Sequence, residues 1–356
     1  MRNNAYENLV QRRNPDERHI KEAFAKLSED KAVKYLAGAM EEVDSEYTKN
    51  SIEQGNRVWN QIEKGLARND RKADYRYQGS TTKNTHIKAH SDLDLLVIET
   101  RFYGLEAPQS PPVPYTGNPI QDLQEVRQIC IDTLTSAFPA ATVDSKGPRS
   151  VKLYGGSLKR TIDVVPAAWW DTNAYANYGH EFFRGVQILN AHVPTRENDS
   201  PFYHAQIIHN KDNETAGNTR KLVRLLKTLR ADSEGAVTLS SFDIESLIYR
   251  MDKVSIQGNE EQEIQTAKAC HDWLSHLEND QALRDSLDVP DSKRKIFAPD
   301  KATLAQLTAI RKELTELLNQ IEKGLTRSFR KLAEARLKWP QDSPYQNPLY
   351  PTFGIR

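Results

Sequence analysis

The residues with the clearest chemical potential are two aspartates, Asp92 and Asp94, at the head of the apolar run DLDLLVI. The run is short and rich in leucine and β-branched residues, which predicts a strand. Successive side chains of a strand point to opposite faces, so the two carboxylates share one face, about 6.5–7 Å apart. Carboxylates this close repel one another unless a cation lies between them. Mg²⁺ is the natural candidate, because it prefers oxygen ligands and shares them with substrate phosphates.

A glycine and a serine, Gly79 and Ser80, precede this pair and have the properties of a phosphate-binding turn. Glycine lets backbone N–H groups approach an anion closely, and serine adds a hydroxyl donor. A third carboxylate, Asp163, lies in the later apolar segment RTIDVVPA. A strand that carries two exposed aspartates is most often a solvated strand at the edge of a sheet. The Gly-Ser turn and the third carboxylate together favour the transfer of a nucleotidyl group.

The elements around these residues can bring the three carboxylates together. A Gly-Gly pair, Gly155-Gly156, separates the apolar segments 150–154 and 158–165 and predicts a hairpin. The hairpin carries Asp163 on a strand that can lie beside the DLDLLVI strand. The segment 101–119 is rich in proline and is predicted to be a loop rather than central sheet or helix interior.

Helical patterns flank this region on both sides. Residues 16–68 have helical spacing, and their longer run predicts one long helix that bridges two lobes. The segment NTRKLVRLLKTLR (218–230) is an amphipathic helix whose basic face is of the kind that is usually solvated. The leucine stripe of residues 303–339 predicts a long helix that packs within the chain rather than in a coiled-coil dimer.

The Gly-Ser turn, the Asp-x-Asp pair and the strand with Asp163 together resemble the polymerase-β-like nucleotidyltransferase superfamily. Within it, the sequence is similar to the bacterial cGAS/DncV-like nucleotidyltransferases (CD-NTases), over residues 77–297. The resemblance implies an α+β fold, in which a polymerase-β-like nucleotidyltransferase lobe with a mixed or antiparallel sheet is linked to a helical lobe by a long N-terminal helix. The expected divisions are 1–69 for the N-terminal helices, 70–200 for the nucleotidyltransferase lobe, 201–339 for the helical lobe and 340–356 for a mobile tail.

The resemblance also implies how the site works. Asp92, Asp94 and Asp163 would be catalytic and would hold two Mg²⁺ ions, which Mn²⁺ can replace. Asp163 is then either a ligand of the nucleophile-side metal or the acceptor of the nucleophile's proton, and both roles stay open. Gly79 and Ser80 would bind the phosphates of the substrate.

Two residues of the helical lobe are expected to contact the donor triphosphate. In CD-NTases a lysine on the amphipathic helix and a serine that opens the next helix make these contacts, and the matching residues are Lys227 and Ser241. Ser240 competes with Ser241, because either serine of the pair can cap the helix. The two roles are compatible, since a helix N-terminus attracts phosphate. Tyr203, His204 and Tyr249 are conceivable base-stacking residues, although ordinary packing is commoner for each.

The implied activity is Mg²⁺-dependent synthesis of a cyclic di- or trinucleotide second messenger from nucleoside triphosphates. The expected context is bacterial anti-phage signalling (CBASS), with an effector that responds to the product and with regulatory protein partners. Two alternatives are another polymerase-β-like nucleotidyltransferase that modifies RNA or protein, and a non-catalytic nucleotide-binding protein. All three carboxylates are present, which argues against the latter.

Composition sets further limits. The chain has 356 residues and equal numbers of basic and acidic residues, 49 of each, so a long nucleic acid is an unexpected partner. The two cysteines, Cys130 and Cys270, indicate neither a disulfide framework nor a zinc site. The sequence has no apolar run of about 20 residues and no signal peptide. We therefore expect a cytoplasmic protein with no membrane partner.

Overall fold

The computed structural model describes residues 31–88, 92–233, 235, 237–258 and 262–337, with side chains described as far as residue 326. The helix predicted before residue 31 and the tail of residues 340–356 lie outside the described residues. The domain boundaries stay a prediction.

A seven-stranded mixed sheet and eleven α-helices make up the described chain, which confirms the α+β class. The strands are β1 (Ala73–Gln78), β2 (Leu93–Leu105), β3 (Thr142–Asp144), β4 (Val151–Tyr154), β5 (Ile162–Asp171), β6 (Gly185–Asn190) and β7 (Thr195–Asp199). Their order is β1-β2-β5-β4-β3, and β6 pairs with β5 and β7. The central pair β2–β5 is parallel, whereas the other pairs are antiparallel. The predicted hairpin is present as β4–β5.

The helices cover one face of the sheet and then form a separate bundle. They are α1 (Lys31–Met40), α2 (Ser45–Ala67), α3 (Pro119–Ala137), α4 (Asn173–Tyr178), α5 (Pro201–Glu214), α6 (Asn218–Asp232), α7 (Ser241–Tyr249), α8 (Lys253–Ile256), α9 (Glu263–Asn279), α10 (Gln281–Ser286) and α11 (Leu304–Leu337). A single 3₁₀ turn spans Glu181–Phe183 within the described chain.

Strand β2 is longer than the predicted DLDLLVI segment, so the prediction of a loop from residue 101 was wrong for residues 101–105. The first proline of that segment is Pro108, and the aromatic Phe102 before it is buried. The ladder accommodates the extension through a register shift between Glu99 and Tyr103 opposite β5. The strand therefore ends shortly before the first proline of the segment rather than at residue 101.

The predicted long N-terminal helix is two helices. Helix α1 ends at Met40, and Asp44 caps α2 by accepting hydrogen bonds from the backbone N–H groups of Glu46 and Tyr47. The hydrophobic spacing runs through this break, but the capping aspartate satisfies backbone donors that a continuous helix would use differently. The two helices serve different cores, because α1 packs in the helical bundle and α2 packs on the sheet.

Alternation along β2 separates a helix-covered face from a functional face. Leu93, Leu95 and Val97 lie in the core that α2 and α3 cover. Leu96 and Ile98 lie in a second core on the opposite face, together with Val165, Ala167 and Trp169 of β5. Asp94 falls in the Leu96 and Ile98 row, so its carboxylate points away from α2 and α3.

The helical bundle has its own core around α6 and α11. The predicted leucines of α6 are buried there, at positions 222, 225, 226 and 229. The stripe of α11 packs in the same core from Leu307 to Ile321, as predicted, while Leu304 and Leu325 at its ends are exposed.

A buried carboxylate joins the bundle to the segment that follows the Gly-Ser turn. Glu245 of α7 accepts hydrogen bonds from Lys83 Nζ at 2.5 Å and from Thr85 Oγ1 at 2.9 Å. His204 Nε2 lies 3.0 Å from the same carboxylate. Although burial opposes ionisation, the neighbouring Lys83 and His204 hold the pKa of Glu245 well below its usual range. This arrangement gives His204 a buried partner, in agreement with the ordinary packing that is commoner for such a residue.

We expect Glu245→Ala to destabilise the protein by about 3–5 kcal/mol, because it leaves the Lys83 ammonium buried without its carboxylate. Urea unfolding at neutral pH measures this loss. Glu316→Ala, at an exposed position of α11, is the matched control. Equal midpoints for the two variants would contradict a stabilising role of the buried ion pair.

Candidate active site

Register pairing places four polar side chains in one row across the sheet. Gln78 of β1 pairs with Asp94 of β2, Asp94 pairs with Asp163 of β5, and Asp163 pairs with Lys152 of β4. Directly paired residues point to the same face of a sheet. The parallel β2–β5 pair thus brings Asp94 and Asp163 side by side, as the sequence predicts.

Asp92 lies one residue before β2 and completes a group of three carboxylates, two of which lie next to Lys152. Lys152 Nζ is 2.9 and 3.1 Å from the two carboxylate oxygens of Asp163, and 3.7 Å from Asp92 Oδ2. Ser150 adds a hydroxyl that donates to Asp163 Oδ2 at 3.3 Å. Asp92 is half exposed, whereas the Asp163 side chain is only 13% exposed.

The carboxylates repel one another, and the largest resulting rise in pKa is at Asp94. Burial, and then the charges of Asp163 and Asp92, raise the pKa of Asp94 to about 7, against the opposing influence of Lys152 and Lys83. Burial and Asp163 also raise the pKa of Asp92. A group of carboxylates in which the pKa values of Asp92 and Asp94 are raised by burial and by their neighbours is a suitable place for a cation, since a cation removes the repulsion.

The Gly-Ser turn lies directly against Asp94. Gly79 follows the last residue of β1 and has a φ of 83°, in the left-handed region. A Cβ at this position would lie 2.2 Å from Asp94 Oδ2, so glycine is required both for the turn and for the close carboxylate. The Ser80 carbonyl oxygen accepts from the Thr85 N–H at 3.0 Å, which closes the turn.

The donor chemistry of the group suits Mg²⁺, because three carboxylates face one side and substrate phosphates can complete the coordination. Over the described residues, however, no three His, Cys, Asp or Glu side chains converge in an arrangement that could hold a metal ion. Two of the acids, Asp163 and Asp92, lie next to the Lys152 ammonium instead.

Helix α6 holds the segment after the Gly-Ser turn. Lys227 Nζ donates to the Thr85 carbonyl oxygen at 2.7 Å, and Arg224 donates to the Asn84 carbonyl oxygen at 2.6 Å. Both side chains are buried, so the basic face of this helix packs against the loop and is not solvated. Burial lowers the pKa of Lys227 to about 8. The predicted contact of Lys227 with a triphosphate stays a prediction.

Ser240 and Ser241 make different contacts at the start of α7. Ser240 caps α7, because its side chain accepts from the Asp243 N–H. The Ser241 hydroxyl accepts from Arg230 at 3.0 Å and has no part in that cap. The capping role therefore belongs to Ser240, while the triphosphate role of Ser241 stays a prediction.

Sequence reasoning missed Lys152, Arg230 and the Lys83–Glu245 pair. Lys152 could have been found, since the alternation in VKLY puts it opposite to Val151 and Leu153, and the hairpin register then places it beside Asp163. The Lys83–Glu245 pair joins residues 162 positions apart, and no local pattern marks it.

A mixed sheet with carboxylates paired across two central strands, a glycine turn against them and a helical bundle beside them defines a nucleotidyltransferase. Comparisons with known proteins agree. The family model of the cGAS/DncV-like nucleotidyltransferase C-terminal helical domain matches residues 206–319. A cyclic dinucleotide synthase CdnE of Yersinia aleksiciae is 37% identical over 308 residues, which are 85% of this chain and 79% of that protein.

Further relatives cover most of the chain. A c-di-GMP synthase of Capnocytophaga granulosa is 30% identical over 331 residues, 82% of this chain and 90% of the relative. The solved structure of a STING-associated CdnE c-di-GMP synthase from Capnocytophaga granulosa covers 91% of this chain and 98% of its own, with a TM-score of 0.71 and 28% identity. The chain belongs to the cGAS/DncV-like nucleotidyltransferases. Among its described helices, none is both long and apolar enough to cross a bilayer.

We expect Asp94→Asn to stabilise the metal-free protein at pH 8. The folded-state pKa of Asp94, about 7, lies above its usual value of 3.8, so the unfolding free energy falls as the pH rises through that window. The full effect is up to about 4 kcal/mol, at 1.36 kcal/mol for each pKa unit. Urea unfolding with a chelator, from pH 4 to pH 8, measures it.

The gain should shrink toward pH 4, where Asp94 is protonated in the folded wild type. Asp132→Asn, at an exposed position of α3, is the control and should show little pH-dependent gain. A gain at Asp94 that is equal at all pH values would contradict charge repulsion as its cause.

We expect Gly79→Ala to reduce turnover about a hundredfold. The added methyl group would displace the Asp94 carboxylate, and a displacement of about 1 Å at a reacting centre has an effect of that size. Gly179→Ala is the matched control, since Gly179 has a φ of 70° but nothing within 4 Å of an added Cβ. Both variants should lose about 1–2 kcal/mol of stability from the left-handed backbone. Equal turnover in the two would show that contact with Asp94 is unimportant.

Proposed function

We propose that this nucleotidyltransferase joins two nucleoside triphosphates into a cyclic dinucleotide. The observation that carries the proposal is the register pairing of Asp94 with Asp163, with Asp92 beside them and the Gly79 turn against Asp94. The carboxylates supply a cation site, and the turn supplies a place for phosphate. Nucleotidyl transfer needs both next to each other.

Asp92, Asp94 and Asp163 would hold the metal. Two Mg²⁺ ions, or Mn²⁺ in their place, supply activation of a ribose hydroxyl and neutralisation of the leaving pyrophosphate when bound. Asp163 serves as a ligand on the nucleophile side or as the acceptor of the hydroxyl proton. Gly79 and Ser80 bind the phosphates through backbone N–H groups and a hydroxyl.

Lys227 and Ser241 approach the triphosphate from the helical bundle. Lys227 already contacts the loop after the Gly-Ser turn, and Ser241 stands at the start of α7, where backbone N–H groups favour an anion. Arg230, which donates to the Ser241 hydroxyl, brings a second cation to the same place. Together they would draw the donor triphosphate between sheet and bundle.

A cyclic product requires the reaction twice. The first transfer joins two nucleotides with release of one pyrophosphate, and the second closes the ring with release of another. The remaining triphosphate of the linear product must therefore return to the Gly79 and Ser80 turn before closure. Relatives named for cyclic dinucleotides favour a dinucleotide over a trinucleotide, and the c-di-GMP synthases among them make GTP the first substrate to test.

The cellular role that this product suits is bacterial anti-phage signalling of the CBASS type, with a separate effector that the cyclic dinucleotide activates. The solved Capnocytophaga granulosa enzyme is described as STING-associated, so an effector with a cyclic-dinucleotide-binding domain of that type is the partner to test. Regulatory protein partners belong to the same proposal.

The test is an assay of the purified chain with Mg²⁺ and four ribonucleoside triphosphates, one labelled at the α-phosphate in each reaction. We expect label that resists phosphatase, because a cyclic product has no terminal phosphate. Asp92→Asn with Asp94→Asn should abolish it and leave the fold intact. Asp132→Asn with Asp285→Asn, at exposed positions, is the matched control.

Two outcomes would replace the proposal. Label that enters only added RNA or protein would indicate a nucleotidyltransferase of another specificity. Nucleotide binding without any transfer, in the wild type as in the double variant, would indicate a non-catalytic nucleotide-binding protein.

A further inference from the structure

A side chain of the protein itself lies between two members of the carboxylate group, Asp163 and Asp92. Lys152 Nζ lies 2.9 and 3.1 Å from both oxygens of Asp163 and 3.7 Å from Asp92 Oδ2. It is a compact unit charge on a flexible stem. Its position between two carboxylates is the position in which a cation removes their repulsion.

Strand register makes this contact part of the fold. Lys152 pairs directly with Asp163, while its neighbours Val151 and Leu153 are buried in the core under α2 and α3. The backbone of Lys152 is thus fixed, and only its side chain can leave the group. That side chain is 41% exposed, so it can move into solvent without opening a cavity.

A divalent cation and this ammonium require the same oxygens. Both oxygens of Asp163 are engaged by Lys152, and one of them also accepts from Ser150. A metal ligand must offer a free lone pair in the direction of the metal. The Lys152 ammonium would also repel a divalent cation at this range, by Coulomb's law.

We propose that Lys152 is a resident counter-cation of the carboxylate group, which keeps the group assembled without metal and must withdraw when a divalent cation binds. Lys152 is therefore a positioning residue that competes with metal and sets the metal concentration at which the site loads. This inference rests on the proposed metal-binding role of Asp92, Asp94 and Asp163.

The first experiment measures Mn²⁺ binding to the full chain without nucleotide, by the electron paramagnetic resonance signal of free Mn²⁺. We expect Lys152→Met and Lys152→Gln to bind Mn²⁺ at least about fivefold more tightly than the wild type, because a competing unit charge is gone. Lys152→Arg, which keeps the charge, should stay near the wild type. Lys253→Met, which removes an exposed lysine paired with Glu214 on the helical bundle, is the control.

Thermal melting separates competition from a purely structural ion pair. Without metal, Lys152→Met should melt below the wild type, because the carboxylates Asp163 and Asp92 then lose the positive charge beside them. Saturating Mn²⁺ should remove most of that difference. A loss of melting temperature that persists at saturating Mn²⁺, together with unchanged or weaker Mn²⁺ affinity in both neutral variants, would overturn the proposal.

A third experiment uses only the wild-type protein, so its result does not depend on whether a variant folds. Acetylation by an amine-reactive ester, followed by peptide mass spectrometry, reports the exposure of each lysine. Lys152 should react several-fold faster with saturating Mg²⁺ than with a chelator, while Lys253 should not change. An equal rate at Lys152 in both conditions would overturn the proposal, as would the absence of saturable Mn²⁺ binding in every protein.

The outcomes distinguish this inference from the proposed function. Tighter Mn²⁺ binding in the neutral variants, with no cyclic product from the wild type, would support the inference and remove the proposed product. A cyclic product from the wild type, with unchanged Mn²⁺ affinity in the neutral variants, would remove the inference alone.

Discussion

The parallel pairing of β2 with β5 is the constraint on which the rest of this structure depends. It sets Asp94 and Asp163 side by side in the middle of the sheet, where neither can move away from the other. Parallel central strands are buried on both faces, which explains why both strands read as nearly continuous apolar runs. The acids lie at the beginning of those runs, where the apolar core of the functional face ends.

Several features can be understood as responses to this concentrated negative charge. Gly79 leaves room for the Asp94 carboxylate, Lys152 brings a positive charge to Asp163 and Asp92, and Lys83 opposes the rise in the pKa of Asp94 from farther away. Lys83 is itself held by the buried Glu245, so the bundle is electrostatically connected to the carboxylate group. The position of the bundle and the charge balance of the site are therefore linked in this fold, through Lys83.

The loop after the Gly-Ser turn is where sheet and bundle meet. Lys227 and Arg224 hold its carbonyl groups from α6, and Glu245 holds its side chains from α7. Each of these donors or acceptors is buried, so a change in any of them leaves a partner unsatisfied. A loop held in this way presents its glycine turn in one geometry, which suits the phosphate site proposed there.

The sequence by itself determined the hairpin, the three carboxylates and the glycine turn, because each depends on short-range alternation or on a local backbone requirement. The α+β class followed from the family resemblance that these residues carry. The break at Asp44 and the extension of β2 to Leu105 were not predicted, since hydrophobic spacing is continuous across the one and proline lies beyond the other. Only the tertiary structure decided that Lys152 stands among the acids, that Glu245 reaches Lys83 and that the basic face of α6 is buried. Those contacts depend on strand register or on the packing of the bundle against the sheet, and no local preference of the chain specifies them.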